Sequence, residues 1–234
     1  MTLTAKPGRA AAPPARSRWE ERSTHRVLAA RREQILERSR QLVEAAYRLL
    51  EEKGLEGLTI RAVLERTALS RRAFYERFAD KDELVLAVFE QAILMATRRF
   101  REQIGSIGDP VARLELIVTN LVLAGGSPHG PADAGRRSAA MSREHLRLAE
   151  SRPDDLQAAL SPLLNLIAEQ LSSGMKAGAV RREDPARLAA LLYNLVSTTV
   201  HTELLTRSKA RADWAKRVQL AAETWEFCRR AIAA

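Results

Sequence analysis

Residues 58–84 read LTIRAVLERTALSRRAFYERFADKDEL, and three helix starts fall inside them. Thr59 precedes a helical segment, with Leu58 and Val63 at the two staple positions around it. Ser70 repeats the arrangement, with Leu69 and Phe74 as its apolar pair. Asp80 opens a third helix, and Glu83 completes an acidic version of the capping box. Between the first two lies a brief turn, Thr67-Ala68-Leu69. Helix, tight turn, helix is a helix-turn-helix, and the N-terminal residues of its second helix enter the DNA major groove.

Those residues are Arg71, Arg72 and Ala73, which follow the cap Ser70. Arginine donates two hydrogen bonds to the O6 and N7 edge of guanine, and alanine suits a thymine methyl. Phe74 and Phe78, four apart, fall on one face and anchor the helix to its own core. Tyr75, Arg77 and Lys81 then point elsewhere, with a hydroxyl and two charges suited to phosphate oxygens. Thr59 and Lys81 stand at helix starts, where free backbone N–H groups favour the same anion. The expected DNA-contacting set is therefore Thr59, Ser70, Arg71, Arg72, Ala73, Tyr75, Arg77 and Lys81.

Upstream, residues 1–18 are rich in Ala, Pro and basic side chains, a composition that favours disorder, and a flexible basic arm is expected over 1–26. Its neighbourhood holds Arg9, Arg16, Arg18, Arg22, Arg26, Arg31 and Arg32, and two readings stand equally: an arm reaching an adjacent minor groove, or a plain tail. Ile35, Ser39, Leu42, Val43, Ala46, Leu49 and Leu50 then form a helical stripe over about 27–53, which Gly54 ends. The DNA-binding domain is expected over 27–84.

Downstream every segment reads as helix. Asp109-Pro110 and Asp184-Pro185 place a cap before a proline at the first helical position, and Ser161-Pro162 reads likewise. Residues 125–135 (GGSPHGPADAG) are a loop by composition, and Gly174 and Gly178 mark a helix end. Helices are expected over about 81–105, 110–124, 136–150, 162–177, 185–207 and 210–232, with a short turn near 154–160. The fold class is all-α, about nine helices in total: a three-helix head and a larger helical body over 85–234.

Composition narrows the function classes. The net charge of +9 is uneven: residues 1–81 hold 18 Lys/Arg against 11 Asp/Glu, and residues 82–234 hold 20 against 18. A basic excess beside a helix-turn-helix points to nucleic acid. No apolar run reaches the ~18–20 residues of a membrane span, and no signal-peptide core opens the chain, so a cytoplasmic protein without a membrane partner is expected. The one cysteine, Cys228, reads as a small reduced core residue. No nucleophile motif, phosphate-binding glycine loop or metal set is present, so no catalytic residue, metal or cofactor is expected.

The stretch from Leu58 to Leu84, with its Phe74-Tyr75 pair and its Asp80-Lys81-Asp82-Glu83-Leu84 ending, resembles the DNA-binding signature of the TetR family of bacterial regulators. The resemblance covers about residues 33–90 and implies a three-helix DNA-binding head, an all-helical ligand-binding body and a homodimer. By position it gives phosphate contacts to Thr59, Tyr75 and Lys81, and Arg77 stands where the family often has histidine. Ala68 replaces a common turn glycine, so the turn either avoids a left-handed conformation or bears strain. Arg72-Ala73 replaces a frequent Gly-Thr pair, so the operator cannot be borrowed from a relative. A looser similarity at residues 178–185 (GAVRREDP) matches the turn before the family's dimerisation helices.

The resemblance thus implies a repressor released from a double-stranded DNA operator by a small apolar or amphipathic effector. Homodimerisation is expected through residues 185–232, where Leu188, Leu191, Leu192, Leu195, Val196 and Val200 form one apolar band and Val218, Ala221, Ala222, Trp225 and Cys228 another. Part of each band must also serve the body's own core. Met95, Phe100, Leu121, Met141, Tyr193 and His201 are the candidate effector-binding residues, and each fits plain core packing as well. The alternative is a DNA-binding dimer that answers to a protein partner or to no effector at all.

Overall fold

The computed structural model describes residues 18–123, 133–206 and 214–234. The described residues divide between Arg40 and Gln41 into two units. In the first, residues 18–40 are helical with almost every described side chain exposed. The second holds two apolar clusters and all the remaining elements.

Helix α1 (Arg18–Gly57) starts nine residues earlier than the apolar stripe suggests, so residues 18–26 are helical rather than a flexible arm. The stretch 18–34 has neither glycine nor proline and is rich in Ala, Arg and Glu, whose propensity suffices without an apolar face. Residues 1–17 of the expected arm lie outside the described residues. Gly54 breaks α1 at φ 69°, ψ −171°, a backbone conformation that side chains resist. Then follow α2 (Ile60–Thr67), α3 (Arg71–Tyr75) and α4 (Lys81–Ile104). Leu42, Ala46, Leu49, Leu50, Leu58, Val63, Phe74, Phe78, Leu84 and Val88 are buried together as the head's core.

The body continues with α5 (Pro110–Leu123), α6 (Asp133–Ser151), α7 (Pro153–Lys176), α8 (Pro185–Thr206) and α9 (Trp214–Ile232). Both Asp-Pro starts hold: Asp109 accepts from Val111 and Ala112 N–H at 3.1 and 3.2 Å, and Asp184 accepts from Ala186 N–H at 3.0 Å. The Ser161-Pro162 start does not. Pro153 is the proline of the first turn, α7 begins there, and Pro162 lies inside it, so the expected turn near 154–160 is helix. Residues 124–132, most of the expected loop, lie outside the described residues, and α6 starts at Asp133.

A second cluster fills the body, built around Leu114, Ile117, Leu148, Leu163, Leu166, Ile167 and Leu171, with Trp225 and Cys228 from α9. Burial pushes the Cys228 thiol up to about 11, which suits the inert core role expected of it. Ala140 on α6 is buried in the head's cluster, and its neighbour Met141 packs against both clusters. The described residues contain no strand; the closest approach to one is a single bridge between Val180 and Ala233. No helix among them is long and apolar enough to cross a membrane.

Candidate functional site

The helix-turn-helix is built by its caps. Ala62 N–H donates to Thr59 Oγ1 at 3.1 Å, Ala73 N–H to Ser70 Oγ at 3.1 Å, and Glu83 N–H to Asp80 Oδ1 at 2.8 Å. The Glu83 carboxylate reaches back to Ala79 N–H, which closes the third cap. Between α2 and α3, Ala68 takes φ 53°, ψ 23°. Of the two options the sequence leaves for this turn, the chain adopts the strained left-handed one.

Phe74 is fully buried and stacks against Phe78 at 5.7 Å and edge-on against Tyr75 at 5.2 Å. With that face fixed, Arg71, Arg72 and Tyr75 are left exposed. The Arg72 side chain is 89% exposed and meets Glu76 at 3.0 Å. Its guanidinium holds the Glu76 carboxyl below the usual carboxylate range. An ion pair this open to solvent is weak, so Arg72 is readily released toward another partner. Thr59 and Ser70 are exposed and Lys81 is half-buried at the start of α4.

Two of the expected contact residues are little exposed. Ala73 is 9% exposed and belongs to the buried face, because the turn of α3 that carries Phe74 inward takes its neighbour with it. The Arg77 side chain is only 5% exposed. Since α3 ends at Tyr75, Arg77 falls beyond the helix and folds back to donate to the Ala73 carbonyl, with Glu76 at 3.5 Å. A cation on the last carbonyls of a helix satisfies groups that have no partner within it. Arg77 is therefore placed as a cap rather than as an exposed charge.

The body holds a cavity of about 570 Å³. Of the candidate effector residues, Met95, Phe100, Leu121, Met141 and Tyr193 line it. His201 is not on its wall but hydrogen-bonds to Ser142, which is, at 3.0 Å. Several lining residues escaped the sequence reading, chiefly Tyr47, Phe89, Ser142, His145 and Ser197. The signal was there: Tyr193, Ser197 and His201 recur every four residues along α8, which puts three polar groups on one face. They meet Ser142 and His145 of α6. His145 Nδ1 lies 3.4 Å from the Tyr193 hydroxyl, and the His145 ring stacks between Tyr193 at 5.7 Å and Phe89 at 6.3 Å. Burial, then the charge of His201, lowers the His145 pKa, which favours the neutral ring. Burial raises that of Tyr193, against a hydrogen bond from Ser197. The charged wall residues, Arg99 and Glu102, are both exposed.

The apolar bands of α8 and α9 divide. Leu188, Leu192, Val196, Ala221, Trp225 and Cys228 are buried in the body. Leu191 and Val218 remain 55% and 44% exposed, joined by Phe227 at 64%, which the sequence reading did not single out. Among the described residues no group of three or more His, Cys, Asp or Glu side chains is arranged to hold a metal.

Residues 42–88 match the family model of bacterial regulatory proteins, tetR family. The HTH-type transcriptional repressor Rv1474c of Mycobacterium tuberculosis is 30% identical over 174 residues, covering 70% of this chain and 92% of that protein. Among solved structures, the transcriptional regulator FadR from Bacillus subtilis, in complex with stearoyl-CoA, superimposes with a TM-score of 0.63 at 18% identity, over 82% of this chain and 98% of FadR. RolR, in complex with resorcinol, gives a TM-score of 0.60 at 18% identity, over 86% and 98%. With the capped helix-turn-helix, the all-helical body and a relative that matches along most of both chains, this protein belongs to the tetR family of bacterial regulatory proteins.

Proposed function

We propose that the chain is a dimeric repressor that reads its operator through Arg71 and Arg72 and releases it when a neutral amphipathic molecule fills the body cavity. The exposed arginine pair at the start of a capped, core-anchored α3 carries the DNA half of this reading. Thr59, Ser70, Tyr75 and Lys81 serve as phosphate contacts that set the register. Leu191 on α8 and Phe227 on α9, both exposed, supply apolar side chains that a second copy covers, which holds two heads at operator spacing.

The effector's chemistry follows from the cavity. Its volume is in the usual range for a small ligand, ~300–1,000 Å³, and its walls are mainly apolar. The buried and half-buried polar groups are hydroxyls, the His145 imidazole and the Asn120 amide, which recognise a hydroxyl or carbonyl and leave a carboxylate without a buried counter-ion. Resorcinol, the ligand in the RolR structure, is closer to this chemistry than the stearoyl-CoA of the FadR structure.

The decisive measurement is binding of the purified protein to duplexes from its own upstream region. Arg71→Ala or Arg72→Ala should cut discrimination between operator and scrambled duplex by about 1–3 kcal/mol each. Unchanged discrimination in both variants would reject the assignment. Neutral phenols or aromatic ketones should weaken operator binding more than their carboxylate analogues, and the reverse order would reject the cavity chemistry.

A further inference from the structure

The basic excess of the N-terminal third does not lie in the helix-turn-helix. Residues 1–40 hold ten Lys/Arg against four acidic residues, whereas residues 41–81 hold eight against seven. Residues 22–32 (RSTHRVLAARR) contain four arginines, one histidine and no acid. Where this unit is described, residues 18–40, it is helix with exposed arginines at 18, 22, 26, 31, 32, 38 and 40. A helix that buries almost nothing is not held by a core, so its side chains answer to something other than packing.

Pairing is uneven among the exposed arginines. Among the described residues later in the chain Arg48 meets Glu44 at 2.7 Å, Arg61 meets Glu65 at 2.7 Å and Arg101 meets Glu169 at 2.8 Å, whereas Arg71, Arg98, Arg99, Arg181, Arg182 and Arg187 meet no carboxylate. In the first unit Arg40 meets Glu33 at 2.9 Å, but Arg18, Arg22 and Arg26 have no ion-pair partner among the described residues. These three stand one helical turn apart, within an arc of about 80°. Like charges at this spacing destabilise a free helix, an effect that an anion across the ladder reverses. A row of phosphates is such an anion.

We propose that residues 18–40 form a second, sequence-independent DNA contact, in which Arg18, Arg22 and Arg26 hold backbone phosphates. The proposal rests on the DNA-binding reading above. Duplex DNA is the occupant because the polyanion that the helix-turn-helix engages is then presented, at high local concentration, to the basic segment covalently joined to it. The extension supplies affinity and salt dependence, while Arg71 and Arg72 supply sequence preference.

The test uses the full chain and fluorescence anisotropy on an operator duplex and on a 30-bp duplex of arbitrary sequence, from 50 to 250 mM salt. Each phosphate contact contributes about 0.9 to the slope of log K against log salt. The triple variant R18Q/R22Q/R26Q should therefore flatten the slope by about 2–3 on both duplexes and keep the operator preference. R18K/R22K/R26K should restore the slope, since charge alone is required. An unchanged slope in the glutamine variant overturns the proposal. So does an unchanged slope accompanied by lost binding to phosphatidylserine vesicles or single-stranded RNA, or by a changed oligomeric state through the exposed Leu28 and Ile35. Wild-type protein that binds no duplex fails the functional reading and this one together. Lost operator preference in the Arg71 and Arg72 variants, with an unchanged slope in the glutamine variant, fails this one alone.

Discussion

Ala68 spends conformational energy to make the turn between α2 and α3. A left-handed alanine costs roughly 1–2 kcal/mol relative to a conformation its side chain prefers, and glycine adopts the same backbone freely. Ala68→Gly should therefore stabilise the protein by about 1 kcal/mol, after the extra freedom that glycine gives the unfolded chain is subtracted. Thermal unfolding should register this as a rise of ~2–4 °C, and a fall would show that the turn is not strained. The turn's position was legible in the sequence, because the caps on either side define it. Its handedness was not, since nothing local says which option a non-glycine residue takes. Arg77 shows the same limit: its side chain had to be traced past the end of a five-residue helix before its carbonyl partner came into view. Ala73 was singled out by its place at the start of the second helix, which does not say which face it takes.

Among the elements, α7 was read least well at its start, which lies at Pro153 rather than at Pro162, whereas its end at Lys176 fell where Gly174 and Gly178 suggested. Gly174 is also buried in the last turns of α7, against Val180. A Cβ added there would lie 2.5 Å from Val180 Cγ2. The loop after α7 is held in turn by Arg181 N–H donating to Ile232 O at 2.9 Å, so Val180 has little room to retreat. Gly174→Ala should cost about 1–3 kcal/mol by overpacking, and adding Val180→Ala should return part of it in a double-mutant cycle. Additive losses would mean that the two sites do not meet. Close approach between residues distant in the fold leaves no periodic trace, whereas caps and stripes do, which is why α2, α3, α4, α5 and α8 began where their capping residues said. On α8 and α9 the sequence could not divide a broad apolar band between core and partner. Phe227→Glu should turn the proposed dimer into monomers in sedimentation velocity with little change in thermal stability of the monomer. A dimer that survives would place the interface elsewhere.

At the scale of the whole molecule, the two apolar clusters and the cavity follow from the same helices. Phe100, Leu121, Met141 and Tyr193 reach the cavity wall because large apolar and amphipathic residues in a helical body face inward, whereas Met95 lines it while exposed; the polar strip that gives the cavity its chemistry needed α6 and α8 side by side. His145 also gives that strip a pH dependence. Its folded pKa is lowered from 6.5, so below 6.5 the unfolded chain takes up a proton that the folded one refuses. Stability should be flat in this respect above 6.5 and fall as pH drops through the lowered folded value. His145→Gln should remove that part of the decline in melts between pH 5 and 7.5; an identical profile would assign it to other groups. The consequence of α6 reaches further. Because Ala140 is buried with the head's core and Met141 touches both clusters, neither cluster can lose its packing without stripping contacts from the other. Head and body should then melt as one calorimetric transition rather than two, and protection from amide exchange gained in the body should extend into the helices of the head.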